Sequence, residues 1–535
     1  MGLFKEVKKP VIKAAPAGVG EVSALRPIFV EKSAPCSSGC PNGNQIRDVL
    51  VMIAQAKDYG LTTEQACEKA WNRIVERNPL PAITGRVCPH PCEDACNRSA
   101  KDGAVAFHAI ERVLGDFGIA RKLKLPRIAG DARSQRIAVV GAGPAGLSCA
   151  YQLARRGYGV TIFESLSHPG GLLRYGIPES RLQRDVLDAE VNRILGLGIE
   201  LRCNCRVGRD LVVEQIRQEY DAVFIGTGAW KPTSLQVPGE NASNVMGAVD
   251  FLRRVNDNED IELGRNVVVV GAGPTAVDVA HLAQGLGAQV TMVAAEITAD
   301  KADIQALQDK GLRLEAPAVP VAIIAEDGRA KAVRTAYLKS VRAEPTEFDL
   351  DANFVIVATD REPELHGFER VSDGHSWFRI DEFGRTKSGI FAGGDSTGLS
   401  TVTGAIAQGR LAAETMDREF RGLEPEKPIP VPVMTSDKMK LDWYQAAPRS
   451  LPTNGTGHFS NPVHAAEWNE EALINEAKRC MSCGMCMDCE TCWMYCSNNC
   501  FVRLPRGQRS SIKTELCNGC KKCAEACPSG YIELA

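Results

Sequence analysis

Two stretches of this chain carry a βαβ glycine fingerprint, and they constrain its fold more than any other feature. The first, residues 136–164, reads RIAVVGAGPAGLSCAYQLARRGYGVTIFE. Its apolar run predicts a buried strand over 137–140, followed by a G-x-G-x-x-G turn, a helix over about 147–156 and a second strand over 159–163. The glycines allow a tight turn, close approach of a pyrophosphate and helix–strand packing, and the terminal acid can accept hydrogen bonds from a ribose. A lone fingerprint can be only a glycine-rich loop, but this complete unit predicts a dinucleotide site at Gly141, Gly143, Pro144, Ala145, Gly146 and Glu164.

The second stretch, residues 266–293, repeats the whole pattern as NVVVVGAGPTAVDVAHLAQGLGAQVTMV. Two fingerprints in one chain imply two dinucleotides. The second strand here runs into Ala294, Ala295 and Glu296, with no arginine to hold a 2′-phosphate. This favours NADH over NADPH. The predicted NAD site is Gly271, Gly273, Pro274, Thr275, Ala276 and Glu296.

Three further glycine turns indicate that the first fingerprint binds a flavin. In HPGGLLRYGIPESR, Gly170 and Gly171 would let the backbone pass close to a flat cofactor, although a surface turn is the alternative. The predicted buried strand in 221–230 runs into the turn Gly226-Thr227-Gly228, and a further buried strand is predicted over 353–360. The GIFAGGD turn over 389–395 precedes a helix over about 402–414. The chain thus returns to the first nucleotide domain after inserting the second. The predicted FAD contacts beyond the fingerprint are Gly171, Leu172, Arg174, Gly228, Gly394, Asp395 and Thr403, with Leu173 and Tyr175 available to line the ring.

The 20 cysteines are concentrated at the two ends of the chain, six in 36–96 and eleven in 480–527. In a large chain with no apolar secretory segment, such clustering predicts metal sites rather than disulfides. C-x2-C-x2-C-x3-C occurs twice near the C-terminus, which is the two-cluster ferredoxin pattern in which the fourth cysteine ligates the other cluster. One 4Fe–4S cluster would take Cys486, Cys489, Cys492 and Cys527, and the other Cys496, Cys517, Cys520 and Cys523. Cys500 is left over.

The N-terminal cysteines lie in loops between predicted helices. The helices are expected over 45–57, over 63–76 with an N-cap at Thr62 or Thr63, and over 105–117. The loops CSSGCPNG and TGRVCPHPCEDAC carry the candidate iron–sulfur ligands Cys36, Cys40, Cys88, Cys92 and Cys96, with zinc as the alternative. We expect Cys67 to be a core thiol, and His90 and His108 to be structural rather than ligands.

Composition excludes several classes of partner. A net charge of −3 favours neither nucleic acid nor an anionic membrane, and no apolar run reaches the ~18 residues of a membrane span. We therefore expect a cytoplasmic α/β protein with two nested Rossmann-like, glutathione-reductase-like domains, an N-terminal α-helical iron–sulfur domain and a C-terminal two-cluster ferredoxin-like domain. The predicted boundaries are 1–130 for the helical domain (which begins with an extended leader over about 1–32), 131–250 and 375–420 for the FAD domain, 251–374 for the NAD(P)H domain, 421–470 for a connecting arm across the surface, and 471–535 for the ferredoxin-like domain.

Together these motifs resemble the small (β) subunit of glutamate synthase and its relatives, which include the N-terminal part of dihydropyrimidine dehydrogenase. The resemblance covers about residues 33–420 and is carried by CSSGCPNG, TGRVCPHPCEDAC, GAGPAG, GGLLRYGIP, GAGPTAVDVA and GIFAGGD. It implies two 4Fe–4S clusters in the N-terminal helical domain, FAD on the first Rossmann unit and NAD(P)H on the second. The overall layout, with an appended ferredoxin domain, is similar to the NADH:acceptor oxidoreductases associated with dissimilatory sulfite reductase.

One departure from the family matters for the iron sites. The family has a C-x-x-C pair shortly before the position of Cys36, and this chain has none there. The phrase that carries that pair resembles EAKRCMSCG, which lies here at 476–484. The resemblance therefore implies that Cys480 and Cys483 complete one cluster with Cys36 and Cys96. The second cluster would take Cys40, Cys88, Cys92 and, at the place of the family's non-cysteine ligand, Glu111.

The implied activity is transfer of a hydride between nicotinamide and flavin N5, then of single electrons through four clusters. No side-chain acid or base is required, because the cofactors carry the chemistry. We expect a redox protein partner, which would be a sulfite reductase-type enzyme, a ferredoxin or a larger catalytic subunit, and a homodimer is possible. Flavin-based electron bifurcation and a glutamate synthase β subunit are the alternatives. Four clusters suggest two electron exits, one on each side of the flavin.

Overall fold

The computed structural model describes residues 23–338, 346–427, 430–450, 470–505 and 510–535. Residues 1–22 of the predicted leader and 451–469 of the predicted arm lie outside the described residues. The described chain divides into two compact units. Of the described residues, the cysteine-rich unit contains 23–123, 426–427, 430–450, 470–505 and 510–535, and the nucleotide unit contains 124–338 and 346–425.

Short helices form the N-terminal part of the cysteine-rich unit. The elements are β1 (Pro27–Phe29), α1 (Pro35–Gly39), α2 (Ile46–Ala54), α3 (Thr63–Val75), α4 (Pro81–Val87), α5 (Pro91–Asp94) and α6 (Phe107–Ala120). The N-cap of α3 is Thr62, which forms a capping box with Gln65. Helices α4 and α6 cross closely, because a Cβ on Gly85 would lie 2.3 Å from the backbone N of Arg112. This crossing positions Glu111 inside the unit.

The nucleotide unit is built on a six-stranded sheet with the order β16-β17-β5-β2-β3-β4. Its strands are β2 (Arg136–Val140), β3 (Gly159–Phe163), β4 (Glu200–Arg202), β5 (Ala222–Ile225), β16 (Arg385–Lys387) and β17 (Ile390–Ala392). Helices α7 (Pro144–Ala154), α8 (Leu172–Tyr175), α9 (Arg184–Leu195), α10 (Val213–Glu219) and α15 (Val402–Phe420) accompany it. Strand β17 pairs parallel with β5, so residues 390–392 rejoin the sheet of the first fingerprint after the second has intervened.

The second fingerprint lies in a five-stranded parallel sheet with the order β10-β9-β8-β14-β7. The strands are β7 (Val245–Gly247), β8 (Asn266–Val270), β9 (Gln289–Val293), β10 (Arg313–Glu315) and β14 (Phe354–Val357), with α11 (Ala248–Asn256), α12 (Pro274–Gly285) and α13 (Lys301–Gln308). An antiparallel sheet of β11 (Ala318–Glu326), β12 (Arg329–Tyr337) and β13 (Glu347–Asp351) packs beside it. A small pair, β6 (Lys231–Pro232) and β15 (Arg361–Glu362), and the short α14 (Glu369–Ser372) complete the unit.

The C-terminal part of the cysteine-rich unit consists of α16 (Glu470–Ala477), α17 (Thr491–Tyr495), β18 (Phe501–Val502), β19 (Ser511–Ile512), α18 (Lys522–Ala526) and β20 (Ile532–Leu534). Strand β20 pairs antiparallel with β1, so part of the predicted leader is a strand of the ferredoxin-like region. The predicted arm also differs from a simple surface crossing, because Met434, Met439 and Tyr444 are buried. Among the described helices, none is long and apolar enough to cross a membrane.

Candidate redox cofactor sites

The first fingerprint forms a cradle that requires glycine. Gly141 has φ +100°, and a Cβ there would lie 2.4 Å from the carbonyl oxygen of Gly226. A Cβ on Gly146 would lie 1.9 Å from the carbonyl oxygen of Gly141, whereas nothing lies within 4 Å of a Cβ built on Gly143. The first and third glycines therefore pack the loop, and the second leaves open space beside the backbone.

The helix that follows this loop is suited to an anion. No side chain caps the N-terminus of α7, and its N-cap residue is Gly143. The first backbone N–H groups of α7 are thus available to a phosphate. Glu164, which is 5% exposed, accepts hydrogen bonds from the backbone N–H groups of Ala142 (2.8 Å) and Leu166 (2.9 Å). It ties the loop to the end of β3, and burial raises its pKa.

The second glycine turn lies directly against the fingerprint. Gly171 has φ +55°, and a Cβ there would lie 2.9 Å from the Cα of Gly143. Arg174 stabilises this turn, since its Nε donates to the carbonyl oxygen of Pro169 (2.8 Å) and its Nη2 pairs with Asp188. Leu172 begins α8, and Leu173 and Tyr175 are buried. Gly228 adopts φ +76° in the loop after β5.

The GGD turn approaches the same loop from the other end of the sequence. A Cβ on Gly394 would lie 2.9 Å from the Cβ of Ala145. Asp395 accepts a hydrogen bond from the Ser400 N–H (3.1 Å) and pairs with Arg361 at 3.4 Å, and burial raises its pKa. Helix α15 begins one residue before the buried Thr403, with Thr401 as its N-cap.

Sequence reasoning missed the residue that joins the two halves of this site. A Cβ on Gly409 of α15 would lie 2.0 Å from the carbonyl oxygen of Ala145 in α7. The helices can approach this closely only with glycine at this position. A glycine in the middle of a predicted helix was the available signal, because such a residue is unfavourable unless close packing requires it.

The second fingerprint repeats the same physical arrangement. Gly271 has φ +125°, and a Cβ there would lie 2.4 Å from the carbonyl oxygen of Ala358. Gly273 is the uncapped N-cap of α12, Pro274 and Thr275 form the first turn, and Ala276 is fully buried. Ala295 and Glu296 are exposed after β9. On the neighbouring strand β10, Arg313 pairs with Glu315 at 2.5 Å.

Thiols from distant parts of the chain line one cavity in the cysteine-rich unit. Cys36, Cys92 and Cys96 line it together with Cys480 and Cys483. Helix α16 packs its Leu473 and Ala477 into the core of the N-terminal helices. The segment from α16 to Cys480 is therefore anchored among those helices.

Buried charges hold this segment in place. Arg479, 1% exposed, pairs with Glu476 (2.7 Å) and donates to the carbonyl oxygens of Gly103 (2.7 Å) and Ala104 (2.9 Å). Arg98 donates to the carbonyl oxygen of Arg479 (3.0 Å). Because each buried polar group has a partner, the loop before Cys480 has one well-defined position.

The remaining N-terminal candidates form a second group. The Cys92 thiol is close enough to Cys88, Cys40 and Glu111 for their charges to raise its pKa further, after the dominant effect of burial. The Glu111 carboxylate accepts a hydrogen bond from Asn78 (3.0 Å), and burial raises its pKa to about 7. His90 and His108 stack with ring centroids 3.8 Å apart. Cys67 is buried among apolar residues.

The eight ferredoxin-type cysteines line two cavities. The first cavity is lined by Cys486, Cys489, Cys492 and Cys527. The second is lined by Cys496, Cys517, Cys520 and Cys523, and also by Cys500.

The donor chemistry fits iron–sulfur clusters. All 20 cysteines lie among the described residues, and none forms a disulfide. Burial raises the pKa of Cys480 to about 11 and that of Cys483 to about 12, so a cation is needed to hold these groups as thiolates. Within the described ranges, no group of three or more His, Cys, Asp or Glu side chains is arranged to hold a single metal ion. Most of the candidate thiols line cavities, an arrangement that suits the ligands of a polynuclear cluster.

Comparison with known proteins places this architecture in a family. The profile described as pyridine nucleotide-disulphide oxidoreductase matches residues 135–409, just over half of the chain. The chain belongs to this oxidoreductase family. Residues 21–123 match the 4Fe–4S cluster domain II of dihydropyrimidine dehydrogenase, and residues 511–533 match a 4Fe–4S binding domain.

Three relatives extend the match within this oxidoreductase family. The small chain of glutamate synthase (NADPH) from Mycobacterium tuberculosis is 30% identical over 74% of this chain and 87% of its own length. The β subunit of NADPH-Fe(3+) oxidoreductase from Geobacter sulfurreducens is 28% identical over 85% and 76%. The β subunit of NADP(+)-dependent formate dehydrogenase from Moorella thermoacetica is 33% identical over 73% of this chain, but only 60% of that relative's length is covered.

These matches confirm the predicted class of enzyme and its family resemblance. The protein is an NAD(P)H-dependent FAD oxidoreductase with 4Fe–4S electron transfer, and it is similar to the small subunit of glutamate synthase and to dihydropyrimidine dehydrogenase. The predicted fold class, with nested nucleotide domains between two iron–sulfur regions, is confirmed.

Proposed function

We propose that this oxidoreductase transfers electrons between NADH and a one-electron protein partner through FAD and four 4Fe–4S clusters. When bound, FAD and nicotinamide exchange a hydride, and the clusters carry single electrons. The observation that carries the proposal is the grouping of the candidate thiols from the two ends of the chain. Most of them line three cavities, and Cys40, Cys88 and Glu111 lie near Cys92. The nucleotide unit supplies two uncapped helices, one for each dinucleotide.

The flavin would be held by backbone more than by side chains. Gly143 and the first turn of α7 would face the pyrophosphate, and Glu164 and Asp395 would accept hydrogen bonds from hydroxyl groups of the cofactor. Gly171, Leu172, Gly228 and Gly394 would permit close approach, Thr403 would lie near the phosphates, and Arg174 would maintain the turn at Gly170–Gly171. The chain's residues bind and orient, and no side chain is needed as an acid or base.

The proposed iron ligands are four sets. Cys36, Cys96, Cys480 and Cys483 form the first, and Cys40, Cys88, Cys92 and Glu111 the second. The ferredoxin-like region provides Cys486, Cys489, Cys492 and Cys527, and then Cys496, Cys517, Cys520 and Cys523. The first set is supported by a shared cavity, which Cys92 of the second set also reaches.

The first set is tested by replacing both C-terminal thiols. We expect Cys480→Ala/Cys483→Ala to lose the iron of one cluster and its spectroscopic signal. Cys67→Ala is the matched control, because Cys67 is buried but lies among apolar side chains. Unchanged iron content in the double variant would show that this ligand set is wrong.

The preference for NADH rests on the residues that follow the C-terminal end of β9. The exposed residues Ala295 and Glu296 offer no cation for a 2′-phosphate, and a free 2′-hydroxyl suits a nearby carboxylate. The names of the three relatives above refer to NADPH or NADP(+), so the choice of nucleotide must be measured directly. Rates of NADH and NADPH oxidation with a viologen dye would decide it. A higher kcat/KM for NADPH would contradict the preference, and no turnover with either nucleotide would contradict the activity.

The partner is proposed from the relatives and the iron–sulfur motifs. Two of the three relatives are named as β subunits and one as a small chain, which supports a larger redox assembly. The candidates are a sulfite reductase-type enzyme, a ferredoxin and a larger catalytic subunit such as that of glutamate synthase. Affinity purification under reducing conditions, followed by reduction of the captured protein with NADH, would identify it. Two partners of different potential reduced together would instead favour electron bifurcation.

A further inference from the structure

We infer that residues 480–492 join the N-terminal and ferredoxin-like cluster sites into one continuous electron path inside the cysteine-rich unit. The inference rests on the ligand sets of the proposed function and adds their connection. Both groups of sites belong to the same compact unit.

Chain geometry alone limits the distance between the two groups. Cys483 lines the N-terminal cavity and Cys486 lines the first ferredoxin cavity. Three residues of fully extended chain span at most about 11 Å, so the Cα atoms of these two ligands are no farther apart. Ligands of adjacent sites are thus joined by Gly484 and Met485 alone.

This short connection is clamped on both sides. The N–H of Gly484 donates to the carbonyl oxygen of Ser529 (2.9 Å), and its carbonyl oxygen accepts from the N–H of Lys32 (3.0 Å). Gly484 is buried with φ +71°, and a Cβ there would lie 2.6 Å from the Cβ of Lys32. Arg47 donates to the carbonyl oxygens of both Cys483 (2.9 Å) and Lys32 (3.0 Å). The spacing of the two sites is therefore rigid.

The predicted connecting arm contributes apolar side chains that pack between the two sites. We call the junction cluster the buried group of Ala34, Met434, Met439, Tyr444, Met481, Cys483 and Met487. Cys36 of the N-terminal cavity and Cys489 of the ferredoxin cavity both pack against it. The Tyr444 hydroxyl donates to the carbonyl oxygen of Met481 (2.8 Å), and Gln55 donates to that of Met487 (2.9 Å). Ligands of both thiol sites thus pack against the same apolar side chains.

The path needs no further reactant. A one-electron transfer oxidises the donor site and reduces the acceptor site, with no bond formed or broken. Electrons supplied by NADH would pass from the N-terminal sites to the first ferredoxin site, which includes Cys486 and Cys527, and then to the second ferredoxin site. The reverse order applies when a partner supplies the electrons.

Magnetic interaction between the sites tests the connection in the full-length holoprotein. The background variant Cys520→Ala removes the second ferredoxin site, so that its coupling to the first does not obscure the spectrum. In the reduced background variant, we expect the electron paramagnetic resonance signal of the first ferredoxin site to be broadened by the N-terminal site. Adding Cys480→Ala should remove that broadening, and adding Cys67→Ala should leave it.

The outcomes separate this inference from the proposed function. Iron present at both sites with no magnetic interaction would overturn the inference and leave the ligand sets standing. Iron absent from the N-terminal site of the wild-type protein would overturn the ligand set and the inference with it. A stepwise reductive titration of the Cys520→Ala background alone guards against misfolding caused by the Cys480→Ala change. The ferredoxin signal should broaden as the N-terminal site becomes reduced, and a line shape independent of that reduction would overturn the inference.

Discussion

Cys500 lies in a five-thiol cavity in which four thiols suffice for a cluster. It is 2% exposed, and its backbone N–H donates to the Sγ of Cys496 at 3.3 Å. An N–H donor stabilises a thiolate acceptor, which favours Cys496 as the ligand and leaves Cys500 as its support. The C-x3-C spacing agrees with this assignment.

We therefore expect Cys500→Ala to retain the iron of the ferredoxin-like region and Cys496→Ala to lose one cluster. Iron analysis and the absorbance of the reduced and oxidised proteins measure this difference. The assignment would be reversed if Cys496→Ala kept its iron while Cys500→Ala lost it.

A buried ion pair in the nucleotide unit makes its stability depend on pH. Asp278 of α12 pairs with Arg181, which follows α8. Burial raises the pKa of Asp278, Arg181 lowers it and the nearby Asp303 raises it again, and the result is a pKa of about 6. A carboxyl with a raised folded-state pKa is easier to bury when protonated, so its contribution to stability falls as the pH rises through about 6.

We expect Arg181→Met to destabilise the protein more at pH 8 than at pH 5, because the ionised carboxylate is then buried without its partner. Removing one member of a buried pair costs about 3 kcal/mol or more. Thermal unfolding midpoints at the two pH values measure this, and adding Asp278→Asn should restore much of the loss at pH 8. An equal loss at both pH values would contradict the explanation.

At the scale of elements, each fingerprint loop depends on one glycine that meets a neighbouring strand's carbonyl oxygen. A Cβ on Gly141 would lie 2.4 Å from the carbonyl oxygen of Gly226, and a Cβ on Gly271 would lie 2.4 Å from that of Ala358. The same clash in two loops should have two separable consequences.

We expect Gly141→Ala to lower FAD content, and Gly271→Ala to keep FAD but weaken NADH binding about tenfold, equivalent to about 1.4 kcal/mol of strain. Flavin absorbance and the KM for NADH distinguish the two. Gly287→Ala is the matched control, since Gly287 also has positive φ (+89°) but no neighbour within 4 Å of a Cβ. Loss of flavin in Gly271→Ala would contradict the assignment of the second loop.

Helix α16 determines whether the C-terminal thiols reach the N-terminal cavity. Arg479, two residues after this helix, donates to the carbonyl oxygens of Gly103 and Ala104, and Arg449 reaches that of Ala104 only at 3.4 Å. We expect Arg479→Met to lower the iron content of the N-terminal sites and to destabilise the cysteine-rich unit by about 3 kcal/mol. Arg503→Met is the control, because Arg503 is half exposed in its pair with Glu490. Full iron content in Arg479→Met would contradict this role.

At the scale of the whole molecule, the cysteine-rich unit is assembled from segments separated by about 300 residues of chain. Strand β1 pairs with β20, and the core of the N-terminal helices includes Leu473 and Ala477. The nucleotide unit has its own sheets and the predicted FAD and NAD contacts.

A chain truncated after residue 427 should therefore retain FAD but lose the N-terminal iron as well as the ferredoxin iron. Its N-terminal helices would lack two thiols and part of their apolar core. Co-expression of residues 430–535 should restore N-terminal iron. Retention of two clusters by the truncated chain alone would show that the C-terminal segment is dispensable there.

The sequence alone was sufficient where structure follows from neighbours along the chain. Both fingerprints, the α3 cap and the ferredoxin pattern are local, because glycine spacing, helical period and cysteine spacing act within about 30 residues. The strand and helix bounds predicted around Gly141 consequently agree with the structure to within a few residues, and the strand–helix–strand order predicted around Gly271 is present.

Only the tertiary structure decided which distant segments meet. The three residues of β1 carry no recognisable period, and Gly409 has no local reason to be glycine. Met434 and Tyr444 lie in a segment whose regular structure is limited to two 3-10 turns, 436–438 and 441–443. The sequence pointed to Cys480 and Cys483 only through a family resemblance. Their place beside Cys36 and Cys96 depends on the burial of α16 and on the hydrogen bonds of Arg479, which are long-range interactions that no local pattern contains.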